Sequence, residues 1–198
     1  MHQQTTTYVS EAEYFELLLK SDEKLEYHDG EIVAMAGAKF PHNIISSNLI
    51  ALFWHCLKAS DCIVLNSNML VHLAECYKYV FPDVVVVCKE PILTSKYGLD
   101  VLENPEIIIE VLSDLTEMID RTEKFDCYKQ LNSVKQYVLV ASKKKKVEVF
   151  RCTSDDEWLL HDYTEKDKRV KIGNCEFLLE EIYGKVAIVK TEKPLPKK

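Results

Sequence analysis

Two kinds of apolar periodicity alternate along the chain. Tyr14, Leu17 and Leu18 fall at helical spacing in the stretch from Tyr8 to Lys20, behind Ser10, a candidate N-cap with Glu13 placed for a capping box. A second helical pattern covers His42 to Lys58 after Pro41, with Ile45, Leu49, Leu52, Phe53 and Cys56 on one side. A third runs from Thr116 to Leu131, with Met118, Arg121, Phe125 and Tyr128 together and Ser113 or Asp114 as cap. Between these helices the pattern reads as strands at Cys62–Leu65, Met69–Leu73, Phe81–Val87 and Glu106–Leu112, with Leu93–Asn104 as an intervening loop or short helix. Three more strands follow at Gln136–Ala141, Val147–Arg151 and Trp158–Tyr163, then a helical turn over Leu178–Tyr183 and a strand-like Val186–Val189.

The strongest local turn signal is Asp29-Gly30, between the extended flanks Lys24–His28 and Glu31–Met35, which predicts an N-terminal hairpin flanked by Glu26 and Glu31. Hairpin, helix, strands, helix and strands in that order predict an α/β (α+β) fold around a central mixed sheet. The length, 198 residues, suits one domain over 1–190, with 191–198, rich in proline and lysine, as a flexible C-terminal tail. Trp54 and Trp158 read as core aromatics.

Composition narrows the functional classes. A net charge of −7 argues against a protein that coats nucleic acid through lysine and arginine, but it leaves room for an enzyme whose bound cation attracts phosphate. Lys143–Lys146 is a basic patch that could attract phosphate but reads first as a solvated hairpin turn. Seven cysteines, odd in number and without a C-x-x-C pair, read as reduced, mostly buried thiols, and with no apolar stretch long enough for a bilayer the chain is expected in the cytoplasm with no membrane partner. His55, Cys56 and Cys62 lack zinc-finger spacing, and neither a glycine-rich phosphate loop nor a nucleophile elbow is present.

The candidate chemistry sits at the ends of apolar runs. Pro82-Asp83 opens Val84–Val87, and Ile107–Ile109 delivers Glu110. An ionised carboxylate taken into such surroundings must be hydrogen-bonded, paired with a cation or bound to a metal; a hard divalent ion is the preferred reading.

In this order and spacing, Leu25–Glu31, His42, Phe81–Val87, Ile108–Ser113, Asp120–Tyr128 and Gln136–Val140 make the chain resemble the PD-(D/E)xK nuclease superfamily and, within it, the Uma-two family of restriction endonucleases. The resemblance covers roughly residues 10 to 185 and implies a restriction-endonuclease-like fold, Mg²⁺ (or Mn²⁺) as cofactor and DNA as substrate, with a homodimer expected if both strands are cut. It implies Asp83 and Glu110 as metal ligands, with the backbone carbonyl of Val111 as a third oxygen. The superfamily's lysine two residues after the glutamate is replaced by Leu112, and Lys124 is the substitute the resemblance implies. Lys124 would orient or deprotonate the attacking water or steady transition-state charge, with a pKa lowered by desolvation; otherwise it makes a surface pair with Asp120. Glu26 either completes the metal shell or faces solvent on the hairpin, and His42 either contacts phosphate or bonds locally. Asp120 and Arg121 are expected to support Lys124. A catalytically silent nuclease-fold module that binds nucleic acid or protein is the alternative, and a hydrolase of RNA or another phosphoester is a third possibility.

Overall fold

Largely apolar runs suit strands covered on both faces, and three of them, Val84–Val87, Ile107–Leu112 with its single Glu110, and Gln136–Ala141, form the middle of one of two six-stranded sheets. The computed structural model describes residues 8–35, 37–114, 116–153 and 157–188. In chain order the elements are helix α1 (Glu11–Lys20), β1 (Leu25–His28), β2 (Glu31–Ala34), α2 (Phe40–Leu57), β3 (Ile63–Asn66), β4 (Leu70–Leu73), β5 (Lys78–Val80), β6 (Val84–Val87), β7 (Leu93–Lys96), β8 (Leu99–Leu102) and β9 (Ile107–Leu112). A helical segment over 117–128 follows, then β10 (Gln136–Ala141), β11 (Lys146–Cys152), β12 (Trp158–Thr164), β13 (Arg169–Ile172), β14 (Cys175–Leu178) and a last helical turn, Leu179–Ile182.

The main sheet has the order β12-β11-β10-β9-β6-β3, with β9 and β10 parallel and the other pairs antiparallel. Its alternation explains the site. Val84, Val86, Ile107, Ile109 and Val111 face α2, where Ile45, Leu49, Phe53 and Leu57 cover them. Val85, Val87, Ile108 and Leu112 face the other way, toward Cys127 and Tyr128 of the 117–128 segment and Val71, Leu73 and Val80 of the second sheet. With a side-chain period of two, Asp83 shares its face with Val85, and Glu110 shares its face with Ile108 and Leu112. The sequence spacing therefore sends both carboxylates to the side carrying the 117–128 segment.

The second sheet, β2-β1-β5-β4-β8-β7, is also mixed, through the parallel pair β4–β8. Its aromatic core, Tyr27, Tyr79 and Phe81, packs on Tyr14 and Phe15 of α1. The capping box of α1 forms as expected, with Ser10 and Glu13 bonding reciprocally, but its buried pair is Tyr14 and Phe15 while Leu17 is exposed. The Asp29-Gly30 turn closes the predicted hairpin, Leu25 opposite Ala34 and His28 opposite Glu31, with positive φ at both turn residues, +46° and +95°. The Tyr8 ring occupies the space a Cβ at Gly30 would need, 2.2 Å from its nearest atom. Gly30→Ala is expected to cost about 1–3 kcal/mol in urea denaturation, with strain and displacement of Tyr8 adding; an unchanged midpoint would contradict the packing described.

Several expectations are corrected. The stretch Leu93–Asn104 is neither loop nor short helix but a hairpin, β7 pairing β8 around Tyr97-Gly98, both at positive φ; the local alternation is weak, and pairing with β4 stabilises it. Val186–Ile188 forms no strand, whereas β13 and β14 form a hairpin that the sequence reading passed over. Trp54 is 64% exposed, on the α2 face turned from the sheet, although Trp158 does pack edge-on against Phe125. The cysteines are not all reduced thiols: Cys56–Cys175, Cys62–Cys88 and Cys76–Cys127 are disulfides, leaving Cys152 free among the described residues. Partners 119, 26 and 51 residues apart form no local motif; strand pairing and helix docking bring them together. The Lys143–Lys146 patch is a turn in which three of the four cations are paired with acids, Lys143 with Asp114, Lys145 with Glu180, and Lys146 with Glu148 and Asp162. The expected tail, 191–198, lies outside the described residues.

Candidate active site

Burying a charge is costly unless it is paired, so the list of buried polar side chains is short and informative. Among the described residues it comprises Glu26, Glu110, Asp120, Lys124, Gln136 and Glu148. Four of these converge. Lys124 Nζ lies 3.3 Å from Glu110 Oε1, 3.4 Å from Glu26 Oε1 and 3.6 Å from Asp120 Oδ1. The Asp120–Lys124 pair is therefore buried, not a surface pair.

Each carboxylate is held by a different element. Glu26, on β1, accepts from the Phe81 backbone N–H at 2.9 Å and contacts His28 Nε2 at 3.1 Å. Glu110, on β9, accepts from the Tyr128 hydroxyl at 3.1 Å and, more loosely, from the Asp83 N–H at 3.4 Å. Asp83 Oδ2 accepts from the Val111 N–H at 2.7 Å and lies 3.1 Å from His42 Nε2, in the first turn of α2. The side chains of Asp83 and His42 are 13% and 14% exposed, against 5% for Glu110 and 7% for Lys124. The cluster thus opens to solvent at Asp83 and His42.

The 117–128 segment is not one regular helix: Asp120–Lys124 is a π turn between the short α-helical pieces Glu117–Ile119 and Phe125–Tyr128. It turns Asp120, Lys124 and Tyr128 inward together and leaves Met118, expected on that face, 78% exposed. Such insertions cost regular hydrogen bonding and recur at functional sites. Arg121 leaves the cluster and anchors the segment to the sheet, its Nη2 2.5 Å from Glu148 Oε2, with a second contact to Glu117 at 2.9 Å. The Tyr137 hydroxyl donates to the Asp120 carbonyl at 2.9 Å.

Charge balance drives the electrostatics. Four carboxylates, Glu26, Asp83, Glu110 and Asp120, stand against one lysine and two histidines. Burial pushes the Glu110 pKa up, and the charges of Asp120, Asp83 and Glu26 push the same way against Lys124. Asp120 is likewise raised by burial, and its Oδ1 is buried without a hydrogen bond. For Lys124, burial alone would lower the pKa, but Glu110, Glu26 and Asp120 outweigh it and raise it. The expected depression is thereby corrected: the amine is a fixed cation. Glu26 goes the other way, because its bonds from His28 and the Phe81 N–H and the charge of Lys124 overcome burial and hold it at about 2.

A folded-state value of about 2 against an ordinary 4.5 means that the native state binds fewer protons than the unfolded one between those pH values. The Glu26 contribution to stability is then full above about pH 4.5 and fades as pH falls toward 2. Glu26→Gln is expected to be destabilised at pH 7, with the gap to wild type narrowing by pH 3 in urea melts. A gap independent of pH would reject the ionised, paired Glu26.

No three His, Cys, Asp or Glu side chains among the described residues enclose an ion by themselves. The carbonyl of Val111 adds a further oxygen, since within a strand a residue's N–H and C=O point to the same edge and its N–H already points to Asp83. Asp83, Glu110 and this carbonyl are hard oxygen donors, the kind Mg²⁺ and Mn²⁺ favour, with water completing the shell. The surplus of carboxylates and the unbonded Asp120 oxygen also favour an added cation. Within these limits the residues fit the group.

Tyr128, His28, Tyr137 and Glu148 were missed by sequence reasoning. Tyr128 alone had a local signal, standing one helical turn after Lys124 on the same face.

The family model described as "Putative restriction endonuclease", Uma2, matches residues 11–175. The chain belongs to the Uma2 family. Two Synechocystis proteins, the uncharacterized slr1290 and sll1609, are 32% and 30% identical to it, over 90% and 85% of this chain and 93% and 95% of their own lengths. A crystal structure of "a putative nuclease belonging to DUF820" from Anabaena variabilis superposes with a TM-score of 0.67 at 17% identity, covering 85% of this chain and 96% of that one. The mixed α+β architecture is thus that of a restriction-endonuclease-like nuclease fold, and membership of Uma2 supports a nuclease. No helix among the described residues is long and apolar enough to cross a membrane.

Proposed function

We propose that this Uma2 chain is a Mg²⁺- or Mn²⁺-dependent endonuclease that hydrolyses DNA phosphodiester bonds. The observation that carries this reading is the buried carboxylate cluster around Lys124, whose most exposed carboxylate is Asp83, beside His42. A purely structural ion pair gains nothing from three carboxylates on one amine, since each extra buried anion costs desolvation that a hydrophobic side chain would avoid.

Asp83, Glu110 and the Val111 carbonyl would hold the divalent ion, which when bound supplies charge neutralisation at the phosphate and a more acidic water. The protein's own residues account for the rest. The Val111 N–H and His42 fix the Asp83 carboxylate from two sides, and the Tyr128 hydroxyl and Lys124 fix Glu110. Lys124, kept protonated by its neighbours, steadies negative charge that develops on the phosphate and orients the attacking water; it is poorly suited to take that water's proton. Glu26 keeps the amine in place from the second sheet. Asp120 aligns Lys124 from one helical turn before it, and Arg121, through Glu148, holds the segment on β11.

Plasmid and single-stranded DNA incubated with Mg²⁺ or Mn²⁺ should be cut by wild type and not by Asp83→Ala, Glu110→Ala or Lys124→Ala. Equal residual cutting by all four would assign the activity to a contaminant. Calorimetric Mn²⁺ titration separates the enzyme from a silent binding module, which has no need of a cation site. If double-strand breaks are made, two copies about a twofold axis are the simplest arrangement, checked by sedimentation of the full chain.

A further inference from the structure

The sixth buried polar side chain, Gln136, belongs to a different place. It opens β10 at the end of the main sheet opposite the carboxylates, where β9 begins with Ile107 and β6 runs out into Cys88. There it lines a cavity of about 330 Å³ beneath the β13–β14 turn, a volume in the range that accepts small organic ligands. Gly173 sits at the turn with φ +58°, so close to the sheet that a Cβ would lie 2.8 Å from the Ile107 side chain. Its N–H donates to Gln136 Oε1 at 2.8 Å. That bond uses the acceptor half of the amide. The donor half makes no hydrogen bond among the described residues, and its nitrogen is not one of the fully buried unbonded atoms, so it stands accessible at the cavity as a donor for a ligand oxygen.

The charges around it have the same preference. Lys135, Arg151 and Lys171 line this cavity, and none is in an ion pair among the described residues. In a chain of net charge −7, these three cations without an acidic partner, of which Lys135 also donates to the Asn132 carbonyl at 2.8 Å, form a local reversal of sign beside the amide donor. Arg151 is held there by register, directly opposite Gln136 across the β10–β11 ladder, and the other two flank it from the start of β10 and from β13. Phe53, Leu57 and Ile172 give the floor an apolar character, and Glu106 offers one acceptor.

We propose that this cavity binds a small phosphate monoester with an apolar body and a hydrogen-bond donor, the chemistry of a mononucleotide. The phosphate lies on Arg151, Lys135 and Lys171, which suit its charge and geometry, with the Gln136 amide as a further donor. The body rests on the apolar floor, and an amino or hydroxyl group donates to Glu106. The site needs neither the metal nor the carboxylate cluster, so it stands whether or not the chain cuts DNA.

Titration calorimetry of the full chain with adenosine 5′-monophosphate, inorganic phosphate and adenosine tests this. The monophosphate should bind at one site, phosphate more weakly and adenosine not measurably, with affinity falling as salt rises. Arg151→Ala combined with Lys171→Ala should weaken the monophosphate about tenfold or more, the loss expected for charge-assisted bonds to phosphate. Gln136→Glu, which keeps an acceptor for the Gly173 N–H but removes the donor, should weaken it comparably. Lys143→Ala, an exposed cation elsewhere, should leave it within about twofold, because exposed charges beyond a Debye length are screened. No binding to wild type, equal binding to the double variant, or loss of binding in Asp83→Asn, which would put the ligand at the carboxylates instead, would each overturn the assignment.

Discussion

Glu110→Gln is expected to abolish DNA cleavage while leaving the fold as stable as wild type or more stable. The carboxylate is buried among three others and its pKa is raised by burial and by their charge, so ionised Glu110 is held at a cost to the folded state. An amide keeps the shape, still accepts from Tyr128, and relieves repulsion with Asp120, Asp83 and Glu26. Lys124 retains Glu26 and Asp120 as partners. Activity should fall by at least about a thousandfold, because a proposed metal ligand and the placement of the reacting groups go together. Function purchased with local instability is the pattern expected of a catalytic site rather than a structural one. Cleavage assays in Mn²⁺ and thermal melts of the same preparation check both halves. An active Glu110→Gln, or an inactive one that melts far below wild type, would remove Glu110 from the role given to it here.

Lys124→Met should have the opposite stability signature. The amine is the buried cation among Glu110, Glu26 and Asp120, and removing one partner of a buried pair costs about 3–5 kcal/mol because charge is left uncompensated. Without it the three carboxylates must take up protons to remain buried, raising their folded-state pKa values above the unfolded ones. The damage should therefore be small near pH 3, below the ordinary carboxylate values, where both states are mostly protonated, and grow as pH rises above that range. Urea denaturation at pH 3 and pH 7 measures it directly. Lys124→Arg is not expected to restore activity, since a planar guanidinium cannot occupy the position of a compact ammonium inside a closed cluster. A methionine variant with wild-type stability at pH 7 would mean that the carboxylates are already protonated and that the amine neutralises nothing.

Both predictions turn on the order in which information enters the fold. The apolar runs Val84–Val87 and Ile107–Ile109 identify themselves as buried strands, and a period of two then fixes Asp83 and Glu110 to one face. The Asp29-Gly30 turn and the Ser10–Glu13 capping box are equally local, each set by neighbours within a few residues. Lys124 was reached differently, through family resemblance and not through its own pattern. Helical periodicity turned Met118 and Arg121 inward, and the π turn at Asp120–Lys124 reversed that choice.

The sequence by itself determined the main strands, two of the helices, the hairpin and the pair of carboxylates at the strand tips, because each depends on hydrogen bonds and side-chain alternation between close neighbours. Only the tertiary structure decided which side chains surround Lys124, the cysteine partners, the β7–β8 hairpin and the exposure of Trp54. The physical reason is common to all four: a buried charge, a disulfide, a weakly patterned strand and an aromatic ring take their environment from segments tens of residues away, and no local window carries the energy of that contact.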